Sequence, residues 1–242
     1  MYSLGIVLAR AGSKGLPDKC VRPLLGRPLI DYTFNHALAS RLLDAVVLTT
    51  DSASARDAAN ERGVPTIARP AELAGDTATV DAAARHAALE WERRAEARVD
   101  AVVLLYANIP VRAAGVIDVA LERLFATGAT SVRTVAPIGK HHPDWLHRLD
   151  GDRMAQYRAN SIYRRQDLEP LYYHDGAVVA VTRAALFGAA PDDAQSFLGA
   201  DRRALVQAPE DAVDVDELLD LRLAEAVLRA RQTANPRQAA TA

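Results

Sequence analysis

The residue types best able to do chemistry gather near the start of the chain. An apolar run over residues 4–9, ending at Ala9, is followed by Arg10, Gly12, Ser13, Lys14, Gly15 and Lys19. Glycines let backbone N–H groups approach phosphate oxygens closely, and arginine and lysine supply countercharge. The segment reads as a polyphosphate cradle, and equally, from composition alone, as a flexible turn carrying solvated charge. Spacing excludes two common phosphate loops. The Walker loop needs two glycines separated by four residues before Lys-Ser/Thr, and the dinucleotide fingerprint needs G-x-G-x-x-G. Near the other end, Asp214 and Asp216 alternate by two, which in extended backbone turns both carboxylates to one side. Such a pair suits Mg2+, which takes one or two carboxylates together with waters and phosphate oxygens. Because Asp216 precedes a helical pattern, it also fits a helix N-cap. Asp76 and Thr77 likewise stand before a helical pattern and could cap it. Lys140, Arg164 and Arg165 form a basic cluster. His141 and His142 have no third ligand at a zinc spacing, which leaves them structural or substrate-lining. Cys20 is the single cysteine, and no chemistry in this set calls for a thiol nucleophile.

The elements that must position these groups alternate in type. Residues 4–9, 45–48, 64–68, 99–106, 131–135 and 177–181 are short apolar runs expected as strands. Residues 27–43, 52–62, 80–97, 115–126 and 216–231 carry helical spacing of apolar residues. Gly63 and Gly128 stand where glycine commonly stops a helix. The alternation predicts an α/β fold: a mostly parallel sheet flanked by helices on both faces. In such sheets ligands bind at the carboxyl ends of the strands, so the loop after the first strand is the first place to look. The pattern breaks near 138–172, where Asp150-Gly151 signals a hairpin. The expected organisation is one domain over 1–232, with an excursion at 138–172 and a frayed polar tail at 233–242.

Half of the 242 residues are hydrophobic, a quarter are charged and the net charge is −2. That balance gives no broad attraction for nucleic acid or an anionic membrane, so an anionic substrate has to be met by local basic groups. No apolar stretch approaches the roughly 20 residues of a membrane span. One cysteine permits no intrachain disulfide, and no basic region precedes an apolar run at the start, so the expectation is a cytoplasmic protein without a secretory signal.

The segment Ala9-Arg10-Ala11-Gly12-Ser13-Lys14-Gly15-Leu16-Pro17-Asp18-Lys19 resembles the A-R-G-G-S-K-G-[IL]-P-x-K-N signature of the acylneuraminate cytidylyltransferase family. Segments resembling others of that family follow in its order: Arg22 to Ile30, Leu73 to Thr79, Arg164-Arg165-Gln166-Asp167-Leu168, Gly176-Ala177-Val178 and Asp214-Val215-Asp216. The resemblance implies a nucleotide-diphospho-sugar transferase-like fold and transfer of CMP from CTP to a nonulosonic (sialic-type) acid, with release of pyrophosphate. It implies that Arg10 and Lys19 contact the triphosphate beside the backbone of Gly12 to Gly15, and that Asp76 and Thr77 border the nucleotide. It implies Mg2+ on Asp214 and Asp216, the acceptor carboxylate on Lys140 and Arg165, and a homodimer in which the excursion reaches the partner's site.

The chain departs from the family at four places. Ala11 replaces a glycine, which is tolerable at negative φ. Cys20 replaces an asparagine. Tyr106-Ala107-Asn108-Ile109-Pro110-Val111-Arg112 stands for Q-P-T-S-P-L-R, so Tyr106 replaces a glutamine that lies near the acceptor. Asp175 replaces an asparagine, and a carboxylate there would repel an anionic acceptor unless a cation sits beside it. The donor side is kept and the acceptor side is altered. This leaves open another anionic acceptor such as a phosphonate, a glycosyltransferase of related fold, or a catalytically silent nucleotide-binding protein.

Overall fold

The computed structural model describes residues 1–12, 15–190 and 193–234. Ser13, Lys14 and all but the first two residues of the expected tail lie outside this set. The first strand, β1, spans Ser3–Leu8 and is buried along its whole length. Two short strands, β2 (Pro23–Leu24) and β3 (Arg27–Pro28), pair as a small hairpin and lead into helix α1 (Leu29–Leu38). There follow β4 (Ala45–Thr50), α2 (Ala53–Glu61), β5 (Thr66–Ala68), α3 (Val80–Ala95), β6 (Ala101–Tyr106), α4 (Val116–Thr127) and β7 (Ser131–Pro137). The second half contains β8 (His147–Asp150), β9 (Arg153–Gln156), β10 (Tyr172–Thr182), α5 (Arg183–Phe187), β11 (Arg202–Val206) and α6 (Leu218–Ala234).

Seven strands form the main sheet in the order β11-β7-β10-β6-β1-β4-β5. Every pairing is parallel except those of β10, which runs against both β6 and β7. The sheet is apolar on both sides, as buried parallel strands require. On one face Val7, Val103 and Leu105 pack with Ile30 and Phe34 of α1, Ala55 of α2 and Leu121 of α4. On the other, Leu4, Ile6, Val102 and Leu104 meet Ala84, Ala87 and Ala88 of α3. Each fully buried Leu, Val or Ile contributes about 1.5–3 kcal/mol over its exposed state.

Two elements differ from the sequence expectation for identifiable reasons. Helix α1 stops at Leu38, short of residue 43. The carboxylate of Asp118, on α4, accepts from Ser40 Oγ and from the backbone N–H groups of Arg41 (3.1 Å) and Leu42 (3.3 Å), which fixes this stretch as a turn. The strand expected at 177–181 is the end of the longer β10, whose first part pairs only with β7 before a register shift between His174 and Val179. The Asp150-Gly151 hairpin is present as β8–β9, with Gly151 at φ 62. The last helix runs to Ala234, so Thr233 is helical. No described helix is long and apolar enough to cross a membrane.

Candidate active site

β1 has β4 on one side and β6 on the other, reached by connections running in opposite directions. The crevice above this switch point is where open α/β sheets bind ligands. A cavity of about 590 Å3 opens there. It is lined by Ala9, Arg10, Gly15 and Lys19 of the loop and by Asp76, Tyr106, Asn108 and Asp216 of other segments. The structure thus brings together most of the donor-side residues picked out from the sequence.

The loop is tied at several points. Ala9 N–H donates to Thr49 O (3.3 Å), and Ala11 N–H donates to the Asp51 carboxylate (2.8 Å). Gly12 sits at φ 72, whereas Ala11 has no positive φ, so the alanine is accommodated without strain. Gly15 is needed for a different reason. A Cβ there would lie 2.7 Å from the backbone oxygen of Asp216, so only glycine lets the loop rest on the segment that carries the aspartates.

Two described cations of the loop are paired with carboxylates. Lys19 Nζ lies 2.5 Å from Asp216 Oδ1, and Arg10 Nη1 lies 2.9 Å from Asp76 Oδ1. Asp216 does not cap α6. The carboxylate of Asp220 takes that role, accepting from the N–H groups of Asp216 and Glu217, both at 2.9 Å. Neither Asp76 nor Thr77 caps α3, which is capped by Thr79 through Ala82 N–H (3.3 Å). Thr77 is exposed and stands outside the cavity lining.

Asp214 and Asp216 share a donor that the sequence reading did not single out. Asn108 Nδ2 donates to Asp214 Oδ1, and lies 3.4 Å from both Asp216 Oδ1 and Val215 O. Val215 N–H returns a bond to Asn108 O (2.9 Å), and Val111 bridges Val213. The two segments are stitched together so that both carboxylates converge on one amide. Asp214 is open to solvent on one side, yet protein crowds its carboxyl. Burial, with the Asp216 charge second, pushes its pKa up to about 6. Among the described residues no group of three or more His, Cys, Asp or Glu side chains could hold a metal. Two crowded carboxylates, one of them disfavoured as an anion, do fit Mg2+, whose remaining ligands are waters and phosphate oxygens.

The loop 106–112 is held from beneath by Arg112, which is fully buried. Its guanidinium donates to the carbonyls of Tyr106 (2.9 Å), Ile109 and Ala177 (2.8 Å) and to Thr33 Oγ1 (2.9 Å). Burial lowers its pKa, and the ring of acceptors offsets the cost of the buried charge. Cys20 borders the cavity, and burial pushes its thiol up to about 11, which keeps it protonated at neutral pH. Arg69 also reaches the cavity and donates to Thr49 O (2.9 Å).

The acceptor-side residues are placed differently from the sequence expectation. Tyr106 lines the cavity. Lys140 and Arg165 are exposed and do not line it, although the Arg165 guanidinium lies beside Gly139, next to Lys140. Arg164 pairs with Asp167 at 2.9 Å. Asp175 is not an acceptor-facing carboxylate but a buried one. It accepts from Thr134 Oγ1, Ala177 N–H (2.9 Å) and Gln207 Nε2 (2.8 Å), because the irregular part of β10 turns it into the protein. His142 is buried and structural: Nδ1 accepts from Asp144 N–H (3.2 Å), which leaves Nε2 to donate to Glu169 O (3.1 Å).

Loop cations facing carboxylates across a crevice at the switch point of a parallel sheet are the architecture of the nucleotidyltransferase class. A sequence model of the cytidylyltransferase family matches residues 4–187, and the chain belongs to that family. The N-acylneuraminate cytidylyltransferase of Streptococcus agalactiae serotype V is 32% identical over 220 residues, covering 89% of this chain and 51% of that protein. The chain therefore spans about half the length of that relative. The CMP-N,N'-diacetyllegionaminic acid synthase of Legionella pneumophila is 29% identical over 240 residues, covering 97% of this chain and 99% of that protein. A solved structure of CMP:2-keto-3-deoxy-manno-octonic acid synthetase complexed with CTP has the same fold, with a TM-score of 0.71 at 16% identity, covering 96% of this chain and all of that one.

Proposed function

We propose that the chain transfers CMP from CTP to a nonulosonic acid and releases pyrophosphate. The observation that most directly supports this reading is the pair of cross-cavity contacts, Lys19 to Asp216 and Arg10 to Asp76. Each pairs a loop cation with a carboxylate from a distant segment of the cavity lining, so a triphosphate entering with a metal ion can exchange both pairs at once. Arg10 and Lys19 then turn to phosphate oxygens, with the N–H groups of Gly12 and Gly15 beside them. Ser13 and Lys14 are assigned to the same cradle by their place in the motif. Asp214 and Asp216 would hold Mg2+, which when bound supplies positive charge to the reacting α-phosphate and the departing pyrophosphate. Asn108 fixes the orientation of both carboxylates, and Arg112 fixes the loop that carries Asn108 and Tyr106. Tyr106 orients the acceptor. The acceptor oxygen forms the new bond to the α-phosphorus, the oxygen bridging to the β-phosphorus leaves with pyrophosphate, and the hydroxyl proton is released to solvent. Alignment and charge carry the reaction, without a covalent enzyme intermediate.

The relatives named N-acylneuraminate cytidylyltransferase and CMP-N,N'-diacetyllegionaminic acid synthase support a nonulosonic acceptor. A homodimer is part of the proposal. It is supported by the excursion, where Leu149, Met154 and Tyr163 are exposed on or beside the β8–β9 hairpin. A second copy covering them would bring Lys140 and Arg165 towards the partner's cavity. A cytoplasmic setting suits the lone cysteine. Pyrophosphate release from CTP with a panel of nonulosonic acids, a phosphonate and no acceptor tests the reading. Release confined to nonulosonic acids is the expected result. Release with the phosphonate alone, or CTP binding without any release, would overturn it.

A further inference from the structure

Asp220 stands in the first turn of α6, and the scheme above gives it no task. It is half-buried, whereas Asp214 and Asp216 are exposed. The ordinary role of an acidic group there is to accept from the orphan N–H groups of a helix start and to favour its positive end. The bonds of Asp220 reach further, because they fall on both sides of one residue.

A single carboxylate oxygen, Oδ2, accepts from Asp216 N–H and from Glu217 N–H, each at 2.9 Å. These two N–H groups belong to the two peptide planes that meet at the Cα of Asp216, and each plane is rigid. The first plane is also held at its carbonyl end, where Asn108 Nδ2 donates to Val215 O at 3.4 Å. The second meets the phosphate loop at its carbonyl end, since Asp216 O is the atom that a Cβ on Gly15 would strike at 2.7 Å. With both planes held, φ and ψ of Asp216 are set, and so is the direction in which its side chain leaves the backbone. The carboxylate that meets Lys19 is thus aimed from behind by Asp220. No other described group accepts from the Asp216 N–H.

Helix α6 gives that aim a firm base. Leu221, Ala224, Val227 and Leu228 pack with Leu16, which follows Gly15, and with Val213 and Val215, which flank Asp214. One helix therefore supports both the phosphate loop and the aspartate segment, and Asp220 is the polar tie between its first turn and that segment.

We propose that Asp220 is a positioning residue: it sets the backbone from which Asp216 holds Mg2+ and keeps that segment in register with the phosphate loop. The inference rests on the metal assignment made under the proposed function. Mn2+ binding followed by electron paramagnetic resonance, with and without CTP, tests it in the wild type, D220A and D220N, with turnover and Tm measured on the same proteins. D220N keeps an amide oxygen where Oδ2 stands, so both N–H groups retain an acceptor, whereas D220A leaves both without one. D220A is expected to weaken Mn2+ binding about tenfold or more, to raise the half-saturating Mg2+ of turnover in parallel, and to leave the acceptor KM near wild type. D220N is expected to bind Mn2+ within about threefold of wild type. A D220A protein with lowered Tm and near-wild-type Mn2+ binding would make Asp220 a helix cap alone and overturn the proposal. Equal losses in D220A and D220N would also overturn it, by tracing the effect to charge and not to the two bonds. If D220A does not fold, D220S carries the same comparison, because serine is accepted near helix starts while its oxygen sits one bond closer to the backbone. Mn2+ binding needs no turnover, so a loss in D220A supports the positioning role even where no sugar acid is converted. A wild type that binds no Mn2+, with or without CTP, removes the metal assignment and this inference together.

Discussion

The two ends of the cavity handle charge in opposite ways. At the loop end two cations are paired with carboxylates, Arg10 with Asp76 and Lys19 with Asp216. Beyond Tyr106 the nearest charges are withdrawn from the cavity: Asp175 is turned inward onto Thr134, Ala177 and Gln207, and Arg133 does not line the cavity. The proposed function accounts for the loop end. A metal–triphosphate brings both signs of charge, so matched pairs on the protein can separate onto it with little net cost. The exposed pair Lys140 and Arg165 belongs to neither arrangement within one copy of the chain.

The sharpest way to break this comparison is at the matched end. Asp216→Asn removes the carboxylate that pairs with Lys19 and that is proposed to hold Mg2+. Turnover should fall on the order of 10³-fold, with little change in Tm because the carboxylate is largely exposed. Retained turnover would show that the pair is only a surface ion pair. Lys19→Met should lower kcat/KM for CTP about 100-fold while leaving the acceptor KM near wild type. A loss confined to the acceptor would reverse the assignment of the two ends. Asn108→Ala removes the amide shared by the two aspartates. The half-saturating Mg2+ concentration should rise about 10- to 100-fold, and Mn2+ binding followed by electron paramagnetic resonance should weaken in parallel. Unchanged metal binding would reduce Asn108 to a loop staple. The smallest effect concerns Cys20. Burial favours the neutral thiol, so thiolate accumulates only as pH approaches about 11. Alkylation by iodoacetamide should be slow at pH 7 and rise about tenfold per pH unit up to pH 10. A rate that levels off near pH 8 would contradict the burial.

Much of the donor end was legible in the sequence because its signals are local. The glycine–cation loop, the D-x-D and the strand before the loop each lie within a dozen residues. The spacing also gave the hairpin at Asp150-Gly151 and the helix stop at Gly63, since turns depend on single residues with particular φ. What escaped depends on contacts far apart in the chain. Asp216 fits a helix cap as well as a metal ligand by position, and only the fold shows that Asp220 accepts from its N–H instead. Asn108 gains its importance from residues about a hundred positions away. β11 was missed because Arg202-Arg203-Ala204-Leu205-Val206 is an edge strand with no buried residue, so it lacks the apolar run that marked the others. Arg133 lies inside an expected strand, but only the register of three strands puts it on the sheet face that Tyr106 shares. The direction of β10 was equally invisible, because an apolar run does not say which way it points.

The central claim is that the matched end is built to hand CMP from CTP to a sugar acid. The most direct measurement supplies each of the four nucleoside triphosphates with Mg2+ and a nonulosonic acid, and follows pyrophosphate release alongside the mass of the sugar product. The account predicts release from CTP alone, one pyrophosphate for each CMP-sugar formed. Release from ATP, GTP or UTP but not CTP, or pyrophosphate without a CMP-sugar, would contradict it.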